Sequence, residues 1–459
     1  MSAAPDDGVH FPVIVVGAGA CGLVAALAAR DAGREVLVLE RDAAPAGSTA
    51  LSSGFIPAAG TRWQRAAGVA DSPQSMAADI RRKNHDEADR ACVDAACEAS
   101  GPALEWLADA HGIAFELIDG FLYPGHSVRR MHAVPEKTGA ALVQRLARAC
   151  ADAGATLVTS ATVTDVVAGG DRRVAGVRFA RPDGAADSAT CDALVLACSG
   201  FGGNPDLVRA YIPEIAAAPY FGHAGNRGDA LAWGRALGAA TRDLSAYQGH
   251  GSLATPHGIL ITWALLMEGG VQVNAAGLRF ADETAGYSER CLDVLRQPGG
   301  VAWDVYDARL HALGLDFPDY RDAVAAGAVR EGTDAGELAR RCGLPEQALA
   351  DTLAETAACA RGQAHDRFGR ASWGASPLAP PYFAVKVTGA LFHTQGGLAI
   401  DAQARVIDAA GRPLPNLWAG GGAACGLSGA HADGYLSGNG LLSAVAFGRL
   451  AGMGAADGR

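Results

Sequence analysis

The sequence predicts an α/β protein: a parallel-sheet domain, split in sequence, that carries an inserted α+β segment. Three observations predict it. A strand, a glycine-rich turn, a helix and a second strand follow one another over residues 13–40. Two later apolar stretches, residues 193–197 (ALVLA) and 417–419 (LWA), each run into glycines, as strands of a doubly wound sheet do where they meet a ligand. Between them, residues 241–375 lose the α/β alternation and mix short strands, helices and turns. The chain therefore reads as 1–240, 241–375 and 376–459, with the first and third pieces forming one unit.

Residues 13–16 (VIVV) are a β-branched run suited to a buried strand. Gly17, Gly19 and Gly22 follow in G-x-G-x-x-G register. Gly17 permits the tight turn, Gly19 lets the backbone approach a pyrophosphate, and Gly22 lets the helix pack close to the strand. The helix opens at Ala20 and Cys21, where free N–H groups and the positive dipole end favour phosphate. Residues 36–39 make the second strand, and Glu40 closes it, placed to accept from a ribose hydroxyl. Strand, helix, second strand and terminal acid together specify a Rossmann-like dinucleotide site.

A length of 459 residues favours two domains. The net charge of -11, with no basic run, argues against a nucleic-acid partner. The first eleven residues have no basic or apolar region and are unlike a signal peptide. No apolar stretch is long enough for a membrane span. The ten cysteines are scattered; the closest pair, Cys92 and Cys97, has neither redox nor zinc spacing. Reduced thiols, a cytoplasmic location and no metal are the expectation.

Residues 41–61 form a long loop of small polar residues, and such loops inside compact domains are usually functional. Arg41, Ser48, Thr49, Ser53 and Gly54 are its cofactor-binding candidates. Helices are expected over 71–111, with His85 on a solvated face, and over 137–154. A loop holding aromatics covers 119–132, and a hairpin pairs 156–167, including Val163, with 174–180. The strand ending at Ala197 enters a turn containing Gly200. The chain returns through 389–400 and 417–419, where Gly420 begins a glycine run, and ends in an apolar helix over 438–452.

Several segments in order resemble the flavoprotein subunit of fumarate reductase and succinate dehydrogenase and their soluble relatives, including the ketosteroid dehydrogenases. They are VVGAGACGL with Glu40, STALSSG, LVLACSGFGGN, GNRGDAL, NAAGLRFADE, FGR, PPYFAVKV, HTQGGLAID, LWAGG and SGNGLL. The resemblance implies FAD, held in a split domain, with the substrate between the flavin and an inserted cap. It extends the cofactor set to Val163, Ala197, Gly200, Gly420, Asn439 and Leu441. Membrane-bound members attach FAD through a His in the loop after the second strand; here that loop reads GSTALSSG, so FAD is expected to be non-covalent.

In fumarate reductases, His, Thr and Arg side chains clamp the substrate carboxylates and an Arg donates the proton. His250, Thr262 and His393 match the two His and the Thr. The proton-donating Arg falls on Tyr287, and the clamping Arg near the C-terminus on Tyr435. Trp263 and Leu266 replace the proton relay. A site without those guanidiniums suits a dianion poorly, because buried carboxylates need charged or multiple donors. The two tyrosines, with Ser437, instead resemble the ketosteroid 4-dehydrogenases; Tyr123 matches, weakly, a Tyr of the 1-dehydrogenases. One phenol donates to the ketone oxygen while the other, its pKa lowered by neighbours, takes the α-proton. Hydride then passes to the flavin. Tyr287 is assigned as base and Tyr435 as donor, although the order could be the reverse.

The expected function is α,β-dehydrogenation of a cyclic ketone, such as a 3-ketosteroid or an oxo-cyclohexane carboxylate. The alternative is an ene-reductase of an unsaturated carboxylic acid. A flavin-bound electron carrier is disfavoured, since it has no use for a cap. The partners expected are a small-molecule substrate and an external electron acceptor, for which oxygen, a quinone and an electron-transfer protein are all open. Arg129 and Arg130 either reach the pocket or cap a loop. His431 has no role that the sequence supports, and Cys425 reads as packing.

Overall fold

The computed structural model describes residues 8–458, so residues 1–7 of the stretch read as unlike a signal peptide lie outside the described residues. Strand β1 (Val9–Val16) begins earlier than expected because its ladder to the neighbouring strand continues back to Val9↔Ala189. Helix α1 (Ala20–Asp31) follows, and β2 (Val36–Leu39) returns parallel to β1. Helix α1 is buried over its first ten residues, which are mostly Ala, Val and Leu. The chain's last helix lies against it, with Gly448 and Gly452 facing Cys21 O and Ala25 O so closely that a Cβ there would lie within 2.6 Å. Small residues allow this approach.

Helices α2 (Pro73–Lys83) and α3 (Arg90–His111) have side-chain N-caps at Ser72 and Asp89. His85 sits in the turn between them at φ 55°, exposed, so it lies off any helix face. Helix α4 (Gly139–Asp152) is amphipathic, burying Leu142, Val143 and Leu146. The expected long hairpin arm is two strands. Strand β3 (Thr156–Val158) joins β2 in parallel, whereas β4 (Thr162–Ala168) pairs with β5 (Val174–Ala180). Strand β6 (Ala186–Leu196) then runs through the centre, parallel to β1.

Residues 247–394 build a second sheet. Its strands are β7 (Tyr247–Ala254), β8 (Ile259–Leu260), β9 (Val271–Val273), β10 (Val301–Asp307), β11 (Val329–Gly332) and β12 (Tyr382–Thr394). The order is β8-β7-β12-β10-β9, all antiparallel, with β11 also on β12. Helix α5 (Tyr287–Leu295) packs on β7 and β12. Strand β12 is the link between the two regions. Its first half pairs with β10 and β11, and its end, at Tyr247↔Thr394, descends to the first sheet's ligand edge. Residues 382–394, expected in the returning piece, thus complete the inserted sheet, because a ladder continues for as long as partners are available.

Strands β13 (Arg405–Ile407) and β14 (Pro413–Ala419) finish the first sheet, in the order β13-β14-β6-β1-β2-β3. Helix α6 (Asn439–Asp457) ends the fold. Among the described residues no helix is long and apolar enough to cross a membrane, and no group of His, Cys, Asp and Glu has the makings of a metal site.

Candidate active site

One long cleft runs from the ends of β1 and β2 to the space beneath the second sheet. At its β1 end the backbone builds the walls. Gly17 has φ 103°, and a Cβ there would lie 2.6 Å from Ala197 O; at Gly22 it would lie 1.9 Å from Gly17 O. Gly19 faces open space apart from Thr49 Oγ1 at 3.6 Å, which leaves its backbone approachable. Glu40 does more than the sequence assigned to it: its oxygens accept the Ala18 N–H at 2.7 Å and the Asp42 N–H at 2.9 Å, fixing the turn. Lone pairs remain for a ribose.

The 41–54 loop closes this end. Thr49 accepts the Ala20 N–H at 3.2 Å, and Ser48 accepts Asn226 Nδ2 at 2.7 Å. Arg41 donates to Gly225 O and to Asp229, both at 2.7 Å, and His223 lies 2.8 Å from Asp42. Residues 223–229 are thereby strapped over the cleft. Ala20, Cys21, Ser53, Gly54, Val163, Ala197 and Leu441 line it as well. Gly22, Gly200, Gly420, Asn439 and Ser437 do not. Gly22 and Gly200 permit close packing, the latter against Thr394, and Gly420 faces Cys21 Sγ. Asn439 is fully buried, with Oδ1 unpartnered. The open glycine cradle at the N-terminus of α1 and the remaining lone pairs of Glu40 fit a flavin dinucleotide.

The other end is built from side chains. Strand β7 contributes Gln248 and His250, the turn after β8 Thr262 and Trp263, α5 Tyr287, and β12 Phe392 and His393. Tyr435 comes from the turn before α6. His250 stacks on Tyr287 at 4.7 Å and on Phe392 at 5.0 Å. Tyr287 and Tyr435 have ring centres 6.1 Å apart, and His393 lies 5.6 Å from Tyr435. Ser437, behind the wall, lies near enough to Tyr287 for its hydroxyl to lower the phenol's pKa. Tyr123 joins the lining, backed by Phe121 at 4.5 Å and Phe55 at 6.1 Å.

No Lys or Arg lines this end. Burial lowers the His250 pKa to about 3 and the His393 pKa to about 4, so both rings are neutral at pH 7. His250 Nδ1 accepts the Ser252 N–H at 3.1 Å, so this ring carries its proton on Nε2 and acts as a donor there. His393 Nδ1 lies 2.8 Å from Gln395 Nε2 and 3.4 Å from Thr394 O. The tyrosines correct the expectation of a lowered phenol pKa. Burial raises Tyr287 to about 12, although hydrogen bonds from Ser437 and Tyr435 pull it back. Burial and then the Tyr287 phenol raise Tyr435 further.

Arg130 is buried between Asp71 and Asp79, at 2.9 and 2.5 Å, and Arg129 is exposed; neither reaches this cleft. Glu283 is buried against Arg279 and Arg370, and Asp282 caps Thr284. His431 is on the surface, and Cys425 Sγ contacts Asp243. Sequence reading missed Gln395, Gln248 and His223. A polar residue two positions from a candidate His was the only available signal, and it is common.

Residues 12–441 match the family described as "FAD binding domain". The chain belongs to this family. Its relatives include a probable fumarate reductase of Shewanella frigidimarina, 28% identical over 97% of this chain and 74% of that protein. The 4-oxocyclohexanecarboxylate 2-dehydrogenase of Sinomonas cyclohexanicum is 26% identical over 93% of this chain and 89% of its own length. The structure of a 3-ketosteroid-delta4-(5alpha)-dehydrogenase from Rhodococcus jostii superposes with a TM-score of 0.77 at 26% identity, covering 98% of both chains. The protein is an FAD-dependent oxidoreductase, similar in sequence to fumarate reductases and in fold to ketosteroid dehydrogenases.

Proposed function

We propose that the protein desaturates a cyclic ketone, removing a proton from the α-carbon and a hydride from the adjoining β-carbon to give an enone. FAD, held non-covalently, supplies the hydride acceptor when bound, and an external acceptor reoxidises it. Tyr435 keeps its proton most firmly and donates a hydrogen bond to the ketone oxygen, stabilising the enolate that develops. Tyr287 is the more acidic phenol of the pair and takes the α-proton, with Ser437 and the Gly438 N–H supporting its charge. The phenol is neutral at rest, so the reactive form is its phenolate, which has released its proton to solvent through the cleft before the ketone binds; the rate should rise with pH toward about 12. His250, His393 and Thr262 offer further donors to substrate oxygen. Ten free cysteines favour a reducing, cytoplasmic compartment.

The observation that carries this reading is the paired phenols in a cleft end lined by no cationic side chain. It favours an uncharged 3-ketosteroid-like ring over an oxo-cyclohexane carboxylate. The second reading, an ene-reductase of an unsaturated acid, draws on His250, Thr262 and His393 lining the same cleft. Both rings are neutral there, which weakens a carboxylate clamp. The test is anaerobic mixing of oxidised protein with cyclohexanone, 4-oxocyclohexanecarboxylate and androstane-3,17-dione. Bleaching of the flavin band by a ketone supports desaturation. Reoxidation of the chemically reduced protein by an enoate, with no ketone active, overturns it.

A further inference from the structure

Helix α2 ends Arg81-Arg82-Lys83, with cations at the negative end of its dipole. Helix α5 starts at Tyr287 behind Gly286, which provides no side-chain cap, and carries Glu289 in its positive first turn. Lys83 reaches between them. Its Nζ pairs with the Glu289 carboxylate, and both side chains are only 15% exposed. The same Nζ donates to Ala285 O at 3.2 Å. Glu289 folds back over Gly286, where a Cβ would lie 2.7 Å from Oε2. That oxygen is buried without a partner, so Lys83 is the group that compensates the carboxylate.

The neighbouring Arg82 donates to Gly125 O at 2.9 Å. Gly125 lets its loop close over Leu436 and the Lys83 stem: a Cβ there would meet Leu436 Cδ1 at 2.5 Å and Lys83 Cδ at 3.7 Å. One helix end thus grips the loop bearing Tyr123 and the turn bearing Tyr287. Burial and then the Tyr287 phenol raise the Tyr123 pKa.

We propose that Lys83 is a positioning residue for the Tyr287 phenol: it ties the inserted segment's 285–289 turn to the FAD-binding region, so the cap closes and the base is aimed in one event. The inference rests on Tyr287 acting as proposed above. A guanidinium at residue 287, as in the reductases it resembles, has its own charge to orient it. A neutral phenol has none and depends on its backbone being held.

The test uses flavin-loaded Lys83→Met. Hydrogen exchange at residues 285–289 is expected to be about tenfold or more faster than in wild type, while β7 stays protected. Mixed anaerobically with androstane-3,17-dione, the variant is expected to bleach about tenfold to a hundredfold more slowly at saturation. Its half-saturating concentration should stay within about threefold of wild type, since the ketone's own contacts remain. Lys83→Arg should recover most of the rate. If Lys83→Met does not fold, Lys83→Met/Glu289→Gln leaves no charge unpaired and should show the same slowing and the same exchange. Unchanged exchange, or a wild-type rate beside a slow Tyr287→Phe, overturns the inference. A wild-type rate in Tyr287→Phe instead overturns the function on which it rests.

Discussion

The two ends of the cleft are made of different material. At the β1 end, glycines, backbone N–H groups, the Arg41–Asp229 ion pair and the Asp42–His223 contact enclose the space. At the far end, aromatic rings, two neutral histidines and two protonated phenols do so, without a cation. The difference teaches a division of labour. A charged, ordered cofactor is held by main chain and dipoles, which cannot be exchanged without changing the fold. The far end is built instead from side chains, which can be exchanged without rebuilding the fold.

The strongest attempt to break this comparison is at the phenols. Tyr287→Phe and Tyr435→Phe should each slow flavin bleaching by about 10²- to 10⁴-fold. Flavin content should remain normal, because neither ring belongs to the main-chain cradle. Flavin loss on removing a hydroxyl would mean the two ends are not separable.

Gly22→Ala tests the converse. Its new methyl would meet Gly17 O at 1.9 Å, so the turn must move, at a cost of roughly 1–3 kcal/mol or more. We expect flavin-depleted protein with a lowered thermal midpoint. Full flavin occupancy would show that the turn tolerates displacement.

Acid stability reads the neutrality of the apolar regions. Burial holds His126 and His132 near 4 and His250 near 3, all below their unfolded value. Below about pH 6.5 the unfolded chain takes up protons that the fold refuses, so stability should fall by about 1.4 kcal/mol per pH unit per histidine. Asp304, raised to about 7 by burial, works in the opposite direction and offsets one of them. Thermal midpoints measured from pH 7 to 4 should therefore decline, and less steeply in His250→Gln. A flat profile would mean that the histidines are protonated in the fold.

The smallest effect belongs to the strap. Arg41 and Asp229 are partly exposed, at 24% and 32%. Arg41→Ala should weaken flavin affinity only about two- to fivefold, the ~0.5–1 kcal/mol of an exposed pair. Loss of all flavin would make the strap part of the cradle rather than its cover.

Much of the cofactor end was legible in the chain, because its determinants are local. Gly17, Gly19, Gly22 and Glu40 lie within one strand-turn-helix-strand unit, where spacing alone dictates who meets whom. At the far end, family motifs could nominate Tyr287, Tyr435, His250 and His393, which come from four separate stretches. They could not tell that the His250 proton sits on Nε2. The Ser252 N–H settles that: it is only two residues away, but it meets Nδ1 only in the backbone conformation of the folded strand. The expectation of an acidified phenol failed for the same reason. Ionisation depends on the solvent that packing removes, and burial raised both tyrosines whatever their sequence neighbours. Lys83 and Glu289 are 206 residues apart. By itself the sequence determined the main-chain site and the family of side chains available for chemistry. Tertiary structure decided their charge states and their aim, because desolvation and long-range contacts exist only once distant segments share one interior.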